Sequence, residues 1–287
     1  MMSNNTGINK SRQEDEAYQK IYSSQPEISY KTGEDITFDI TYTNSELDDN
    51  LAGVAFRVHY NSDVITPTGE NAGINERIDA FNVPVITDDV DDFDNDVSTD
   101  KYIDLTYLDF YANFPDEPLP AKLADITFTH VQQDPITGVT LVNFTPNQTA
   151  SDYGFVGESV VLKSDDFTFN LDVDGNGEVG AFSDGLMIVR KMFGESFVGD
   201  ELTNGAISPD ATRTTEEIHE YIQSGIYYKD LDVDGDGEVT PFGDGLMVIR
   251  KMFGSAFADG AISPDATRTS DEISDYIESL TVLDPIA

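Results

Sequence analysis

The chain has 287 residues, of which 55 are acidic and 16 basic, and its formal net charge at pH 7 is −39. A surface this negative repels nucleic acid and anionic lipid and attracts cations. An acidic surface that serves only solubility, as in halophiles, is the alternative explanation. The absence of cysteine excludes disulfides, a thiolate nucleophile and thiolate metal ligands. No apolar run is long enough to span a membrane, and the N-terminus lacks the apolar core of a signal peptide.

Residues 1–28 are polar without a sustained period, and we expect a flexible N-terminal arm. From residue 29 to 166 the sequence reads as many short strands separated by clusters of Gly, Pro, Asn and Asp. In two segments apolar residues alternate with polar ones, which predicts strands with one buried face. The apolar residues are Ile36, Phe38, Ile40 and Tyr42 in the first segment and Val54, Phe56, Val58 and Tyr60 in the second. This pattern predicts an antiparallel β-sandwich.

A repeat occupies residues 167–287. The segment Leu171–Gly194 returns as Leu231–Gly254, and the two copies agree at 18 of 24 positions. Each copy contains a loop, a short helix, a linker with the common sequence GAISPDATRT, and a second helix. The second helices begin with a capping box, Thr214 with Glu217 and Thr269 with Glu272. We therefore predict a mainly β protein with an α-helical C-terminal module of two loop–helix–linker–helix repeats, 170–226 and 230–280.

Acidic and amide side chains alternate at the start of each repeat, before a glycine that allows a sharp turn. This is the front half of a calcium loop of the EF-hand type, in which oxygens at positions 1, 3 and 5 converge on one ion. Position 7 contributes its backbone carbonyl. The closing acid comes one residue later than in the standard loop, in both copies. The predicted Ca²⁺ ligands are Asp172, Asp174, Asn176, Glu178 and Asp184 in one site, and Asp232, Asp234, Asp236, Glu238 and Asp244 in the other.

These repeats resemble the dockerin modules of bacterial extracellular proteins. The segments "YKTGEDITFDITYTN", "LAGVAFRVHYNSDVI" and "AKLADITFT" resemble cohesin domains, which implies a sandwich of the cohesin jelly-roll type. Cohesins and dockerins are calcium-dependent partners that assemble extracellular complexes. The resemblance implies the same calcium ligands, and it implies partner recognition through the late-loop residues and the basic pairs of the first helices. Those positions are Phe182, Arg190 and Lys191 in one copy, and Phe242, Arg250 and Lys251 in the other. The late-loop positions typically carry small hydroxyl residues in dockerins, and the two repeats here are farther apart than in the compact cellulosomal module.

The basic pairs have a second explanation, because cations near a helix C-terminus complement the helix dipole. The two phenylalanines could likewise fill their own core instead of a partner's surface. A third Ca²⁺ site is possible near Asp92–Asp100, where acids occupy alternate positions, although a solvated acidic loop gives the same pattern. The three histidines are scattered and suggest no nucleophile–base pair, and His59 falls on the polar face of its strand.

We therefore expect a non-enzymatic, extracellular calcium-binding protein that acts in protein–protein assembly or adhesion. If the module of one molecule binds the sandwich of the next, the contact is head-to-tail and can grow into a filament or matrix. The N-terminal arm could also add a strand to a neighbouring sandwich. The alternatives are a carbohydrate-binding sandwich on a calcium-stabilised module, a monomer that calcium only makes rigid, and an enzyme fragment. Polysaccharide is thus a possible partner, whereas nucleic acid and a membrane span are not expected.

Overall fold

The computed structural model describes residues 17–132, 134, 136–254 and 261–282. Contacts divide the chain into two compact units: the first ends at Asp166, and the second begins at Phe167 and also includes residues 135–137. The first unit contains the strands and the second contains the helices, so the chain is mainly β with an α-helical C-terminal part. Each unit has its own hydrophobic core.

The described residues of the first unit form fourteen strands. They are β1 Tyr18–Tyr22, β2 Glu27–Tyr30, β3 Asp35–Asn44, β4 Asn50–Leu51, β5 Gly53–Tyr60, β6 Ile65–Pro67, β7 Ile74–Glu76, β8 Ile86–Asp88, β9 Lys101–Leu108, β10 Phe114–Pro115, β11 Ala121–His130, β12 Val139–Gln148, β13 Gly154–Gly157 and β14 Val160–Ser164. One sheet has the order β13-β1-β3-β11-β6, with β7 also paired to β11, and the other has the order β2-β14-β12-β5-β9-β8. Strands β4 and β10 form a separate pair.

The apolar faces predicted for β3 and β5 are buried, but the expectation of a single buried face is wrong, because part of the opposite face of β3 and most of the opposite face of β5 are buried as well. Ile40, Tyr42, Phe56 and Val58 are all fully buried, and they belong to one core in which aromatic rings from several strands meet. Phe56 stacks on Tyr107, with 6.2 Å between ring centroids. Burial of large aromatic and branched side chains is the main source of stability for such a sandwich.

The prediction of a flexible arm is wrong for residues 18–28, because β1 and β2 belong to the two sheets. Strand β1 lies between β3 and β13 and runs parallel to β13. Strand β2 is an edge strand that runs parallel to β14. These are the only parallel pairs among the described strands, so the sandwich is antiparallel except where the N-terminal segment joins it. Residues 1–16 of the expected arm lie outside the described residues.

The described part of the second unit contains four α-helices: α1 Asp184–Met192, α2 Thr215–Tyr227, α3 Asp244–Met252 and α4 Ser270–Ser279. Both predicted capping boxes are present, at the starts of α2 and α4. The two repeats share one core, to which each contributes a loop valine and a helix methionine, Val173 with Met187 and Val233 with Met247. Because neither repeat has a core of its own, the two repeats are expected to fold together.

Candidate metal centres

The first loop gathers three carboxylates at the start of α1. Oxygens of Asp172, Asp174 and Asp184 all lie within 4.8 Å of one another. Asp172 is 7 % exposed and the other two are fully buried. Within the described part of the chain, none of the three forms an ion pair with lysine or arginine. Burying like charges together is unfavourable unless a cation neutralises them.

The second loop repeats this arrangement at the start of α3. Oxygens of Asp232, Asp234 and Asp244 lie within 4.8 Å of one another, and all three residues are buried. The described residues offer these carboxylates no basic partner either. The same constellation therefore forms twice in the second unit.

Backbone amides fold each loop around its aspartates. Asp172 accepts hydrogen bonds from the amides of Asn176, at 3.0 Å, and Gly177, at 2.9 Å. Gly177 has a φ of 85°, a left-handed conformation that favours glycine. The side chain of Glu178 is exposed, so the metal ligand expected from this residue is its backbone carbonyl oxygen. Asp236, Gly237 and Glu238 have the corresponding arrangement in the second loop.

Asp184 closes the first loop. One carboxylate oxygen accepts hydrogen bonds from the amides of Val173, at 2.9 Å, and Asp174, at 3.4 Å. The other oxygen accepts from the amide of Gly180, at 2.8 Å, and the hydroxyl of Ser183, at 2.9 Å. Asp184 thus connects Val173 and Asp174, at the start of the loop, and Gly180, near its end, to the first turn of α1. These contacts give a structural reason for the late position of the acid.

Burial raises the pKa of the Asp184 carboxyl, although the hydrogen bonds from Gly180 and Ser183 oppose that shift. Burial likewise raises the pKa of Asp244 to about 6, against the opposing effect of the amide of Thr240. A carboxyl whose charged form is disfavoured by burial gains most from a nearby cation.

The linkers support the loops, a role that our sequence analysis did not assign. Ser208 donates its amide to the Asp174 carboxylate at 2.9 Å, and Thr212 donates its hydroxyl to the carbonyl of Gly175. Arg213 donates to the carbonyl of Asp172 at 2.7 Å. Ser263, Thr267 and Arg268 make the same contacts in the second repeat. The signal was the sequence SPDATRT, identical in both copies.

Phe182 and Phe242 lie on the surface and not in a core. They are 76 % and 73 % exposed. Phe182 makes an edge-to-face contact with Phe253 of the other repeat, with ring centroids 4.9 Å apart. Phe242 makes the reciprocal contact with Phe193 at 5.3 Å. We call these four residues the aromatic pairs.

Three of the four basic residues have partners within the second unit. Arg190 donates to the backbone carbonyls of Leu202 and Asn204, both at 2.9 Å. Lys191 lies 3.4 Å from His219, and burial lowers its pKa. Lys251 donates to Ser274 and forms an ion pair with Glu278 at 3.0 Å. Arg250 has the corresponding place in α3, and the chain that follows it, residues 255–260, lies outside the described residues. Recognition of a partner by these residues stays a prediction.

The segment Asp92–Asp100 does not gather its alternating side chains at one point. Asp100 accepts hydrogen bonds from the backbone amide and the hydroxyl of Ser62. Asp94 and Asp96, in contrast, both accept from the side-chain amide of Asn143. Asp94 instead belongs to a cluster with His59 and Asp89. Among the described residues, the five positions are not gathered into one cluster of carboxylates, and a third ion near Asp92–Asp100 stays a prediction.

The residues of the two repeated loops fit Ca²⁺. All donors are oxygens, which hard divalent cations prefer, and three carboxylates with one amide or a fourth carboxylate match the charge of calcium sites. The buried carboxylates and the exposed side chains of Glu178 and Glu238 agree with the roles expected for each position.

No family model matches this chain, and no curated protein matches it. Solved structures that match this chain include cohesin domains. The sixth cohesin of scaffoldin B from Acetivibrio cellulolyticus, solved with a Cel5 dockerin mutant, is 11 % identical with a TM-score of 0.34 and aligns over 52 % of this chain and 99 % of its own. A type II cohesin from the cellulosome of the same organism is 13 % identical, with a TM-score of 0.31, over 51 % and 95 %. The seventh ScaB type I cohesin from Pseudobacteroides cellulosolvens is 11 % identical, with a TM-score of 0.31, over 53 % and 94 %. The sandwich itself is defined by the strand pairing described above.

Among the described residues, no helix is both long enough and apolar enough to cross a membrane.

Proposed function

We propose that the second unit binds two Ca²⁺ ions, one in each repeated loop, and that these ions stabilise a surface for protein–protein assembly. The observation that carries the proposal is the pair of equivalent clusters, each with three buried carboxylates within 4.8 Å. The ligands of the first ion are Asp172, Asp174, Asn176, Asp184 and the carbonyl of Glu178. The ligands of the second are Asp232, Asp234, Asp236, Asp244 and the carbonyl of Glu238.

Calcium binding is coupled to folding in this proposal. Without a cation, the carboxylates of each loop repel one another and oppose the turn that brings them together. The ion removes that repulsion, so its binding free energy becomes folding free energy. Residues of both loops pack in one shared core, and each ion therefore stabilises the whole second unit.

The aromatic pairs supply the assembly surface. Large exposed aromatic side chains are enriched at the energetic centres of protein interfaces. Each pair joins residues from both repeats, so the surface exists only when both repeats are folded. The first unit has an exposed apolar patch of its own, in which the ring of Phe81 meets that of Phe110 and Val83 and Tyr111 are also exposed. Contact between these two surfaces in different molecules is head-to-tail and extends into a chain of copies.

We further propose that the protein acts outside the cell and has no catalytic activity. Millimolar Ca²⁺ is the range in which extracellular calcium modules are saturated, and the strongly negative surface would hold such ions near the loops.

Calorimetric titration of the metal-free protein with Ca²⁺ tests the binding proposal. The wild type should bind two ions with matched affinity. Asp174→Asn and Asp234→Asn should each lose one site, and the double variant should lose both. Asp275→Asn, on the exposed side of α4, changes the same charge away from the loops and should leave both sites intact. Two ions bound by the double variant would contradict the proposal.

Light scattering with added Ca²⁺, followed by chelator, tests assembly. Self-assembly is supported if the mass grows with Ca²⁺ and the growth reverses on chelation. The growth should also be absent in a Phe182→Ser, Phe242→Ser double variant that still binds two ions. A monomer at millimolar calcium and high protein concentration would contradict self-assembly while leaving the calcium proposal intact.

A further inference from the structure

A second kind of polar cluster lies in the sandwich, in the unit without the repeated loops. The ring of His59, on β5, is fully buried under the segment that joins β8 to β9. Its Nδ1 atom lies 2.7 Å from a carboxylate oxygen of Asp89 and 3.9 Å from one of Asp94. The side chains of Asp89 and Asp94 are 0 % and 2 % exposed. Three buried titratable groups meet here, of which only Asp94 belongs to the acidic segment that the sequence marks.

The charge of this cluster is not balanced by the protein. Even a protonated His59 would offset only one of the two buried carboxylates. Among the described residues, no lysine or arginine forms an ion pair with either aspartate. Arg57, two residues before His59 on β5, lies over the ring of Phe93 instead, 4.0 Å from its centre. Two buried carboxylates without a cation carry a large desolvation cost.

A further carboxylate oxygen, from a residue that lines the same cavity as Asp89, has no hydrogen-bond partner among the described residues. The Oδ1 atom of Asp92 is buried and makes no hydrogen bond within the described part of the chain. Asp92 and Asp89 line one cavity of about 290 Å³, together with Thr99 and Asp100. Buried polar atoms are normally satisfied, and an unsatisfied oxygen in a cavity lined by ligand-type side chains points to an ion.

We propose that His59, Asp89 and Asp94 form a site for a first-row divalent cation such as Mn²⁺ or Zn²⁺. An imidazole nitrogen among carboxylates favours such a cation over Ca²⁺, which prefers oxygen donors alone. Two donors about 2.1 Å from one ion lie about 3 Å apart, and the observed separations of 2.7 and 3.9 Å bracket that distance.

The surrounding residues are arranged as supports for these ligands. The Nε2 atom of His59 lies 2.7 Å from the hydroxyl oxygen of Thr145. Asp94 accepts hydrogen bonds from Thr99 and Asn143, both at 2.8 Å. With a metal on Nδ1, the imidazole proton resides on Nε2 and is donated to Thr145, the kind of outer contact that fixes a metal-binding histidine. Without metal, Nδ1–H donates to Asp89 and Nε2 accepts from Thr145. Metal binding therefore switches the tautomer of His59.

The test uses the full chain with its calcium loops saturated. Mn²⁺ is titrated in millimolar Ca²⁺, and bound ions are counted by electron paramagnetic resonance. We expect one tight site and nitrogen modulation of the echo signal from a single imidazole. His59→Gln should abolish the modulation and weaken binding at least tenfold. His219→Gln, in the other unit, removes a histidine as well and should change neither.

Asp94→Asn provides a second variant, and circular dichroism establishes that each variant is folded. Loss of the Mn²⁺ site in folded Asp94→Asn protein would support the proposal. Nitrogen NMR of the histidine ring adds an independent readout, since Mn²⁺-free protein titrated with Zn²⁺ should show the tautomer of His59 change. The proposed site is overturned if tight Mn²⁺ binding persists in His59→Gln. It is also overturned if millimolar Ca²⁺ displaces the bound Mn²⁺ completely, or if the wild type binds no Mn²⁺ at all. The outcome is independent of the proposed calcium loops, which contain no histidine.

Discussion

At the scale of single residues, the many aspartates of this chain differ in their surroundings and therefore in their chemistry. Asp184 is buried at a helix start, and burial raises its pKa. Asp94 is buried beside a histidine. Asp39 was expected on the polar face of β3 but is only 8 % exposed, because the segment between β1 and β2 covers it. Side-chain type alone did not separate these three cases.

The hydrogen bonds to Asp39 predict a pH-dependent stability of the sandwich. Burial by itself would raise the pKa of Asp39, but hydrogen bonds from Ser24 and Thr41 lower it below its usual value. A lowered pKa means that the ionised form is favoured in the folded state. Its contribution is therefore complete above the unfolded pKa of about 3.9 and is lost as the pH falls through the folded pKa.

We predict that Asp39→Asn lowers the free energy of unfolding of the sandwich by about 2 kcal/mol at pH 6, because hydrogen bonds to a charged group are lost. The deficit should shrink as the pH falls below 4, where the wild type loses the same charge. Hydrogen exchange of β3 peptides, measured by mass spectrometry, reports on this unit alone. Asp152→Asn, in an exposed turn, is the matched control. An equal deficit at pH 3 and pH 6 would show that the charge is not involved.

At the scale of elements, each linker supports the candidate metal centre that precedes it. Arg213 binds the carbonyl of Asp172 and lies 3.9 Å from the ring centre of Tyr221 in α2. Arg268 makes the equivalent contacts with Asp232 and with Tyr276 in α4, at 4.2 Å. The linker thus joins the loop of its repeat to the second helix of the same repeat.

Removing this support should weaken only the neighbouring calcium site. We predict that Arg213→Ala raises the dissociation constant of the first site about tenfold, as losses of outer contacts do at other metal sites. Arg268→Ala should leave the first site unchanged and weaken the second. Calcium titration in the Asp234→Asn background measures the first site alone, and titration in the Asp174→Asn background measures the second. Equal effects of either arginine on both sites would mean that the linkers act on the whole unit instead.

Helices α1 and α3 approach each other closely through a pair of glycines. A Cβ atom added to Gly185 would lie 2.7 Å from the sulfur of Met252, and one added to Gly245 would lie 2.8 Å from the sulfur of Met192. Small residues at these positions allow the two first helices, and with them the aromatic pairs, to meet.

A large side chain at this contact should separate the helices. We predict that Gly185→Leu lowers the free energy of unfolding of the second unit by about 2 kcal/mol, in the range of other overpacking substitutions. Gly185→Ala should be nearly neutral, because the methionine can move and alanine favours a helix by about 1 kcal/mol over glycine. Urea unfolding in saturating Ca²⁺ measures both. Equal stability of the alanine and leucine variants would refute close packing here.

At the scale of the whole molecule, two units with separate cores carry different candidate metal sites. The repeated loops belong to the second unit, whereas the histidine cluster belongs to the first. The free energy that a ligand adds depends on its concentration relative to its dissociation constant, and it acts only on the unit that binds the ligand.

Calorimetric melting of the metal-free chain should therefore show two transitions, of which Ca²⁺ raises only one. At a concentration 100 times the dissociation constant, each bound ion adds about 2.7 kcal/mol to the stability of the second unit. The Asp174→Asn, Asp234→Asn double variant should keep both transitions but lose the calcium shift. A single transition that moves as a whole with Ca²⁺ would show that the two units unfold together.

The sequence by itself determined the features that depend on neighbouring residues. Alternation predicted the buried faces of β3 and β5, and the spacing of threonine and glutamate predicted the capping boxes of α2 and α4. The acidic loops were likewise visible, because Asp172 and Asp174 lie close in sequence and reach the same point through a short turn. Their use of Ca²⁺ stays a proposal.

Only the tertiary structure decided which distant segments meet. Strand β1 lies between strands that begin at residues 35 and 154, and its short polar sequence has no periodicity that would indicate this. His59 is on the polar face of a strand by sequence, yet the segment before β9 covers that face and buries the ring with Asp89 and Asp94. Such contacts join residues about 30 or more positions apart, and their energy depends on shape and charge in three dimensions, which a linear pattern does not contain.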